Sequence, residues 1–149
     1  MTHACTHVVM AFGVLGRTAD AEALDGTRLA GAAHANERVY PIPAADSVSV
    51  DAQAHVLLIR SNGLIVAVSP ACPHEQAPVR WVPRAERFQC SKHNSRYTRE
   101  GQYISGRATR GLDRFAIRRD GPAVFVDVTR LWRADKNPAE WTAAVVSAL

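Results

Sequence analysis

Between His55 and Val68, two apolar runs, His55-Val56-Leu57-Leu58-Ile59-Arg60 and Leu64-Ile65-Val66-Ala67-Val68, flank Ser61-Asn62-Gly63. An Asn-Gly pair tolerates positive φ at little cost, so it favours a tight turn whose twist matches two antiparallel strands. A chain with this hairpin at its centre is committed to a sheet. The remaining short β-like runs agree with that commitment. Val39-Tyr40-Pro41-Ile42 reads as an edge strand, because its proline cannot donate to a ladder on both sides. Arg87-Phe88-Gln89, Arg96-Tyr97, Phe115-Ala116-Ile117-Arg118 and Ala123-Val124-Phe125-Val126-Asp127-Val128 complete the set, and Asp120-Gly121-Pro122 supplies the turn before the last.

One helix is signalled, at the C-terminus. Asn137 is placed to cap it, Pro138 suits the first helical position and Glu140 completes a capping box. Trp141, Ala144, Val145 and Ala148 then form an apolar stripe at helical spacing, to be laid against the sheet. The expected architecture is all-β, an antiparallel sandwich with one terminal helix. The three tryptophans, Trp81, Trp132 and Trp141, read as packing residues, and His34 and His55 as surface or strand histidines.

The N-terminal third is less regular. An apolar stretch runs from Val8 to Leu15, and Ala19-Asp20-Ala21 has the small-x-small form of a cleavage site. Only His3 and His7 stand where a secretory signal has its basic leading region. Two readings stay open, an ordinary apolar segment or the remnant of a longer export signal. Residues 1–36 are therefore read as a lead-in or partial export signal, 37–130 as the structured domain and 131–149 as an extension carrying the helix. An export signal would place the protein in a bacterial periplasm or cell envelope, and its absence in the cytoplasm.

At 149 residues, with 47% hydrophobic and 21% charged side chains, the chain has the composition of one soluble globular domain. Three cysteines are too few for a disulfide-dense scaffold, and no apolar run reaches the roughly 20 residues of a spanning helix. The net charge of +4 is unevenly spread: from Arg80 to Arg119 there are 11 Lys and Arg against 3 Asp and Glu. That basic segment is either a solvated face or the surround of something anionic, such as an acidic partner. No nucleic-acid-binding motif accompanies it.

Two clusters carry chemistry: Cys72-Pro73-His74, and Cys90-Ser91-Lys92-His93, with 15 residues between His74 and Cys90. Each joins a thiol to an imidazole and falls just after a strand, where a scaffold commonly presents ligands. Unrelated surface residues are one reading and a structural zinc site another, although zinc ligands usually come as a Cys pair and a His pair. The third is a [2Fe–2S] cluster with two Cys on one iron and two His on the other. In that reading each loop gives one ligand to each iron, so the interleaved order follows from the geometry of a clamp.

These residues resemble the Rieske iron–sulfur proteins, whose pattern is Cys-x-His followed by Cys-x-x-His. The resemblance continues through His93-Asn94-Ser95-Arg96-Tyr97 and through Gly101, Gly106 and Arg107-Ala108-Thr109-Arg110, spanning roughly Val39 to Val128. It implies a two-loop cluster-binding subdomain, thiolate ligands Cys72 and Cys90 to the inner iron, and ligands His74 and His93 to the outer iron, facing a redox partner. Ser95 and Tyr97 would donate hydrogen bonds to a bridging sulfide and a cysteine sulfur. Two neutral imidazoles in place of two thiolates raise such centres to about −150 to +300 mV, against about −400 mV for all-cysteine plant-type ferredoxins. Hydroxyl donors raise the potential further, and reduction at alkaline pH takes up a proton.

The implied function is electron transfer, as a carrier or subunit of a respiratory-type or oxidoreductase chain. The partner is a cytochrome-like or oxidoreductase protein, in a membrane-associated complex, with a quinol as an alternative donor. A ferredoxin serving a ring-hydroxylating oxygenase is the second reading, and a zinc-stabilised binding module the third. Respiratory members brace their loops with a disulfide, whose positions resemble Ala77 and Lys92 here, so this brace is missing. That departure points away from the respiratory subunit proper and toward ferredoxin-like, arsenite-oxidase-type and stand-alone relatives. Cys5 reads as incidental. With no length for a mononuclear iron domain, no substrate chemistry is expected from this chain alone.

Overall fold

Asn62 and Gly63 both adopt left-handed backbone (φ 51° and 76°), and Ser61 pairs with Leu64 across them. This is the geometry a two-residue hairpin turn requires. The computed structural model describes residues 33–149; Cys5, the apolar stretch at 8–15 and most of the lead-in lie outside the described residues. In chain order the elements are β1 (Glu37–Pro41), β2 (Ser47–Asp51), β3 (Val56–Ser61), β4 (Leu64–Val68), β5 (Val79–Val82), β6 (Arg87–Cys90), β7 (Arg96–Tyr97), β8 (Tyr103–Ser105), β9 (Arg114–Asp120), β10 (Ala123–Trp132), α1 (Pro138–Ala143) and β11 (Val146–Ser147). They form two antiparallel sheets. The larger runs β1-β10-β9-β4-β3-β2, with β11 added to β4, and the smaller runs β5-β6-β7-β8.

The unbroken apolar character of β3 and β4 has a structural cause: both faces of this hairpin are covered. Leu57, Ile59, Val66 and Val68 pack with Val79, Phe88 and Tyr97 of the smaller sheet. Val56, Leu58, Ile65 and Ala67 face the opposite way, onto Phe115, Val124 and Val126. The hairpin is therefore the partition between two cores. β1 lies at the edge of the larger sheet, as its proline requires, with Pro41 opposite Ala123.

The C-terminal helix is shorter than its apolar stripe predicts. Residues 138 to 143 are helical, and Val145 and Ala148 fall beyond the helix. Asn137 makes no side-chain cap; its Oδ1 accepts from the Arg133 amide instead. The reason lies in the sheet. β9 pairs with β4 only at Val68–Arg114, so the ladder groups of β4 toward Leu64 and Ile65 are open. β11 takes them, pairing Val146 with Ile65, and the Ala148 amide donates to the Gly63 carbonyl at 2.7 Å. β2, β5, β8 and β11 are strands absent from the sequence expectation. No helix among the described residues is long and apolar enough to cross a membrane.

Candidate metal centre

The two Cys/His loops are built alike. In the first, the Cys72 amide donates to the Ala77 carbonyl at 2.8 Å; in the second, the Cys90 amide donates to the Ser95 carbonyl at 2.8 Å. Each bond closes a loop from a cysteine to the residue five positions on. The residue before each acceptor, Gln76 and Asn94, is left-handed with φ of 57° and 56°. Asn visits that region readily, whereas Gln does so at a cost. The loops emerge from β4 and β6 and are tied together by the Ser91 amide on the Pro78 carbonyl. Their matched turns carry the four sequence-predicted ligand residues toward each other.

Cys72 and Cys90 are buried and free of any disulfide. The Cys72 sulfur lies 3.1 Å from Tyr97 Oη. Burial pushes the Cys90 thiol up, but the backbone N–H groups of His93 and Lys92 and the Cys72 side chain outweigh it and hold it below its ordinary value. Burial, followed by the Cys72 sulfur, pushes the Tyr97 phenol well above its usual range, so that hydroxyl keeps its proton and can donate. Outside the thiols, the His74 and His93 rings meet edge to face with centroids 5.1 Å apart. His93 Nδ1 is buried without a hydrogen-bond partner. A buried ring nitrogen left unpaired is costly unless something occupies its lone pair or takes its proton.

Ser95 is fully buried, and its Oγ accepts from the Ala108 amide at 3.0 Å. With the oxygen so held, its proton is free to be donated elsewhere. Gly106 makes this possible: a Cβ there would lie 2.5 Å from Ser95 Cα, and its φ is +111°. The Gly106–Ala108 stretch thus lies directly on Ser95, a role that residue types alone did not reveal. A second feature the sequence expectation lacked is the ion pair of Lys92 with Glu75, one residue from each loop. Glu75 also stands 3.7 Å from His74 Nδ1, and its carboxyl is held below its ordinary range, chiefly by Lys92. Lys92 is one of the two positions at which the missing brace was expected, so a cross-loop charge pair sits where a covalent link is absent.

The structure brings the buried Cys72 thiol to Cys90 and to the Tyr97 hydroxyl, and the His74 ring to His93, with Glu75 beside the two imidazoles. This set fits a group that takes soft sulfur and borderline nitrogen donors together, and the orphaned His93 Nδ1 is the atom such a group would satisfy. His34 and His55 stay apart, His34 in an exposed turn where its amide donates to Glu37.

Known proteins resemble this chain in sequence. The family model described as the Rieske [2Fe-2S] domain matches residues 34–116. The chain is 28% identical over 71 residues to the cytochrome b6-f complex iron-sulfur subunit of Chlorobaculum thiosulfatiphilum, covering 48% of this chain and 39% of that protein. The subunit of the same description from Chlorobaculum tepidum is 27% identical over 73 residues, covering 49% of this chain and 40% of that protein. The matched region thus spans about two fifths of these relatives' length. Among solved structures, the cyanobacterial plasma membrane Rieske protein PetC3 from Synechocystis PCC 6803 superposes with a TM-score of 0.45 at 25% identity, over 54% of this chain and 84% of that one.

Proposed function

The chain belongs to the Rieske [2Fe-2S] domain family, whose model covers more than half of it, and from this premise we propose that it serves as the Rieske carrier or subunit of a respiratory-type electron-transfer chain. Rieske-type electron transfer is the activity of the family. When bound, the [2Fe–2S] cluster accepts and releases a single electron. In this reading residues 37–130 form the domain and 131–149 an extension packed back on it. Cys72 and Cys90 would hold the inner iron, and His74 and His93 the outer one.

The observation that carries the assignment is the pair of tied loops of equal construction, which together hold two buried free thiols and an orphaned imidazole nitrogen. The surrounding residues have defined tasks. With Cys72 as a thiolate ligand, the Tyr97 hydroxyl, 3.1 Å away, would donate to the sulfur and so stabilise negative charge there. Ser95, its oxygen accepting from the Ala108 amide, would have its proton left for a sulfide of the cluster. The exposed His74 leaves that side of the site open to a docking protein. The names of the Chlorobaculum relatives support a redox partner within a membrane complex.

An electron paramagnetic resonance spectrum of the reduced protein, combined with a redox titration, tests this. The expected result is a paramagnetic reduced [2Fe–2S] signal and a midpoint above zero, because two hydroxyl donors act on the site. Colourless protein with one zinc per chain overturns it. The lack of thiols at Ala77 and Lys92 favours the oxygenase-ferredoxin reading, which a midpoint well below about −100 mV would support.

A further inference from the structure

We propose that the outer face of the β5-β6-β7-β8 sheet is a docking surface for an acidic protein partner. The basic segment separates into two populations once its ion pairs are known. Lys92, Arg99, Arg110 and Arg118 are matched to Glu75, Glu86, Asp113 and Glu37 respectively. Arg114 is buried and Arg119 donates to main-chain carbonyls. Five arginines remain, Arg80, Arg84, Arg87, Arg96 and Arg107, and none has a carboxylate partner among the described residues.

Those five belong to the smaller sheet and its connections. Arg80 pairs in register with Gln89 and Gln89 with Arg96, so the three side chains share one face in a row across three strands. Arg87 joins them, with its Nη2 on Gln89 Oε1 at 3.4 Å. The opposite face is the core, where Val79, Phe88, Cys90 and Tyr97 are buried. Alternation along the strands thus sends Val79, Phe88, Cys90 and Tyr97 inward and Arg80, Arg87 and Arg96 outward, with Val82 the apolar residue on the arginine face. Arg84 lies in the β5–β6 connection and Arg107 follows Gly106, beside the loop that holds Ser95.

Adjacent strands lie about 4.8 Å apart, so these unmatched charges repel one another within a Debye length. A partner's carboxylates relieve that repulsion. Guanidinium groups suit the role because they bind carboxylates through two parallel bonds and are more weakly hydrated than ammonium. Between Arg80, Gln89, Ser91 and Asn94 runs a groove that also reaches Val82 and Cys90. A protruding acidic side chain can enter such a concavity, whereas a lipid surface cannot. Surfaces that settle into membranes present apolar side chains for insertion, and here the exposed Tyr103 and Ile104 lie to the side, on edge strand β8. The loop carrying His93 projects from these strands, so a protein held on this face is held beside the proposed centre.

The inference rests on the electron-transfer reading only in making the partner a redox protein. The test uses the full chain with its cluster and a labelled plant-type ferredoxin, a strongly acidic protein, as probe. Association is measured at about 20 mM and about 300 mM salt. The expected result is salt-sensitive binding that Arg80→Gln with Arg96→Gln weakens about tenfold at low salt. Arg38→Gln with Lys136→Gln, removing the same charge from elsewhere, should change it less than about twofold. Absence of binding, or equal losses from the two pairs, overturns the proposal. So does preferential binding to phosphatidylcholine vesicles with about 30% phosphatidylserine that is lost in the Arg80/Arg96 variant, which would assign the face to a membrane. The visible spectrum of each sample keeps the two readings separate: a chain without a [2Fe–2S] spectrum defeats the electron-transfer assignment, whereas a normal spectrum with face-independent binding defeats only this one.

Discussion

The Tyr97 hydroxyl lies 3.1 Å from the Cys72 sulfur, joining β7 of the smaller sheet to the loop that leaves the larger one. Tyr97 is fully buried, so the contact is shielded from water, and a hydrogen bond there is worth more than the same bond at the surface. It links the packing of the small sheet directly to the electronic environment of a proposed ligand.

Tyr97→Phe removes that donor while keeping the ring. The cluster should remain bound and its midpoint potential fall by roughly 60 mV, the equivalent of about 1.4 kcal/mol for one electron. Redox titration of the two proteins side by side provides the check, and an unchanged midpoint would remove Tyr97 from its assigned role.

Gly106→Ala introduces a Cβ 2.5 Å from Ser95 Cα at a backbone φ of +111°. Backbone rather than a flexible tip stands in the way, so the Ser95 loop must move. We expect a lower cluster content per chain in the variant and a lower midpoint in whatever cluster it retains. Iron and sulfide analysis with a redox titration measures both.

Glu75→Gln breaks the pair that Glu75 makes with Lys92 across the two loops. Both partners are exposed, so the pair is open to salt, and its effect should be kinetic more than thermodynamic. Cluster loss to an iron chelator should be faster in the variant at low salt and equal to wild type at about 1 M salt, where surface pairs are screened. A difference that persists at high salt would show that screening is not the cause.

Glu37 accepts two bonds from Arg118, each 2.8 Å, and a third from the His34 amide. The Arg118 bonds chiefly, with help from the amide, lower its carboxyl from 4.5 to about 2. A lowered folded-state pKa stabilises the protein above the ordinary value and ceases to do so as pH falls through the folded one. Glu37→Gln should therefore lower the melting temperature by a few degrees at neutral pH, with the difference shrinking between about pH 4.5 and 2. Thermal melts across that range test the sign.

Trp141 stacks on the buried Arg114, 3.9 Å from guanidinium carbon to ring centroid, and its indole N–H donates to the Leu112 carbonyl at 2.8 Å. Gly111 leaves room for the ring, since a Cβ there would come within 2.9 Å of it. Trp141→Ala should cost about 2–4 kcal/mol by denaturant unfolding, with the spectrum of the centre unchanged. Loss of the centre at unaltered stability would contradict a purely packing role.

The central hairpin and the Cys/His loops were legible in the sequence because each depends on local chemistry, whereas Ser95 and Tyr97 entered through the family resemblance. Asn62-Gly63 dictates its own turn, and the interleaved ligands sit within two short segments. β2 was not read from the sequence: the alternation of Ser47-Val48-Ser49-Val50 is short, and such alternations recur by chance and do not identify their partners. The C-terminal stripe misled for a related reason. Its apolar residues do pack inward, but an open edge on β4 competes with helix continuation, and that edge exists only in the folded sheet.

Charge shows the same division. The sequence by itself determined that cations gather between Arg80 and Arg119, and that two thiols and two imidazoles stand ready near strand ends. Tertiary structure alone decided which arginines are neutralised and which are left over, that Lys92 meets Glu75, and that Gly106 lies on Ser95. Residue type sets what a side chain can do, but Coulomb energy and steric contact act through space, and the chain path sets those distances only after it has folded.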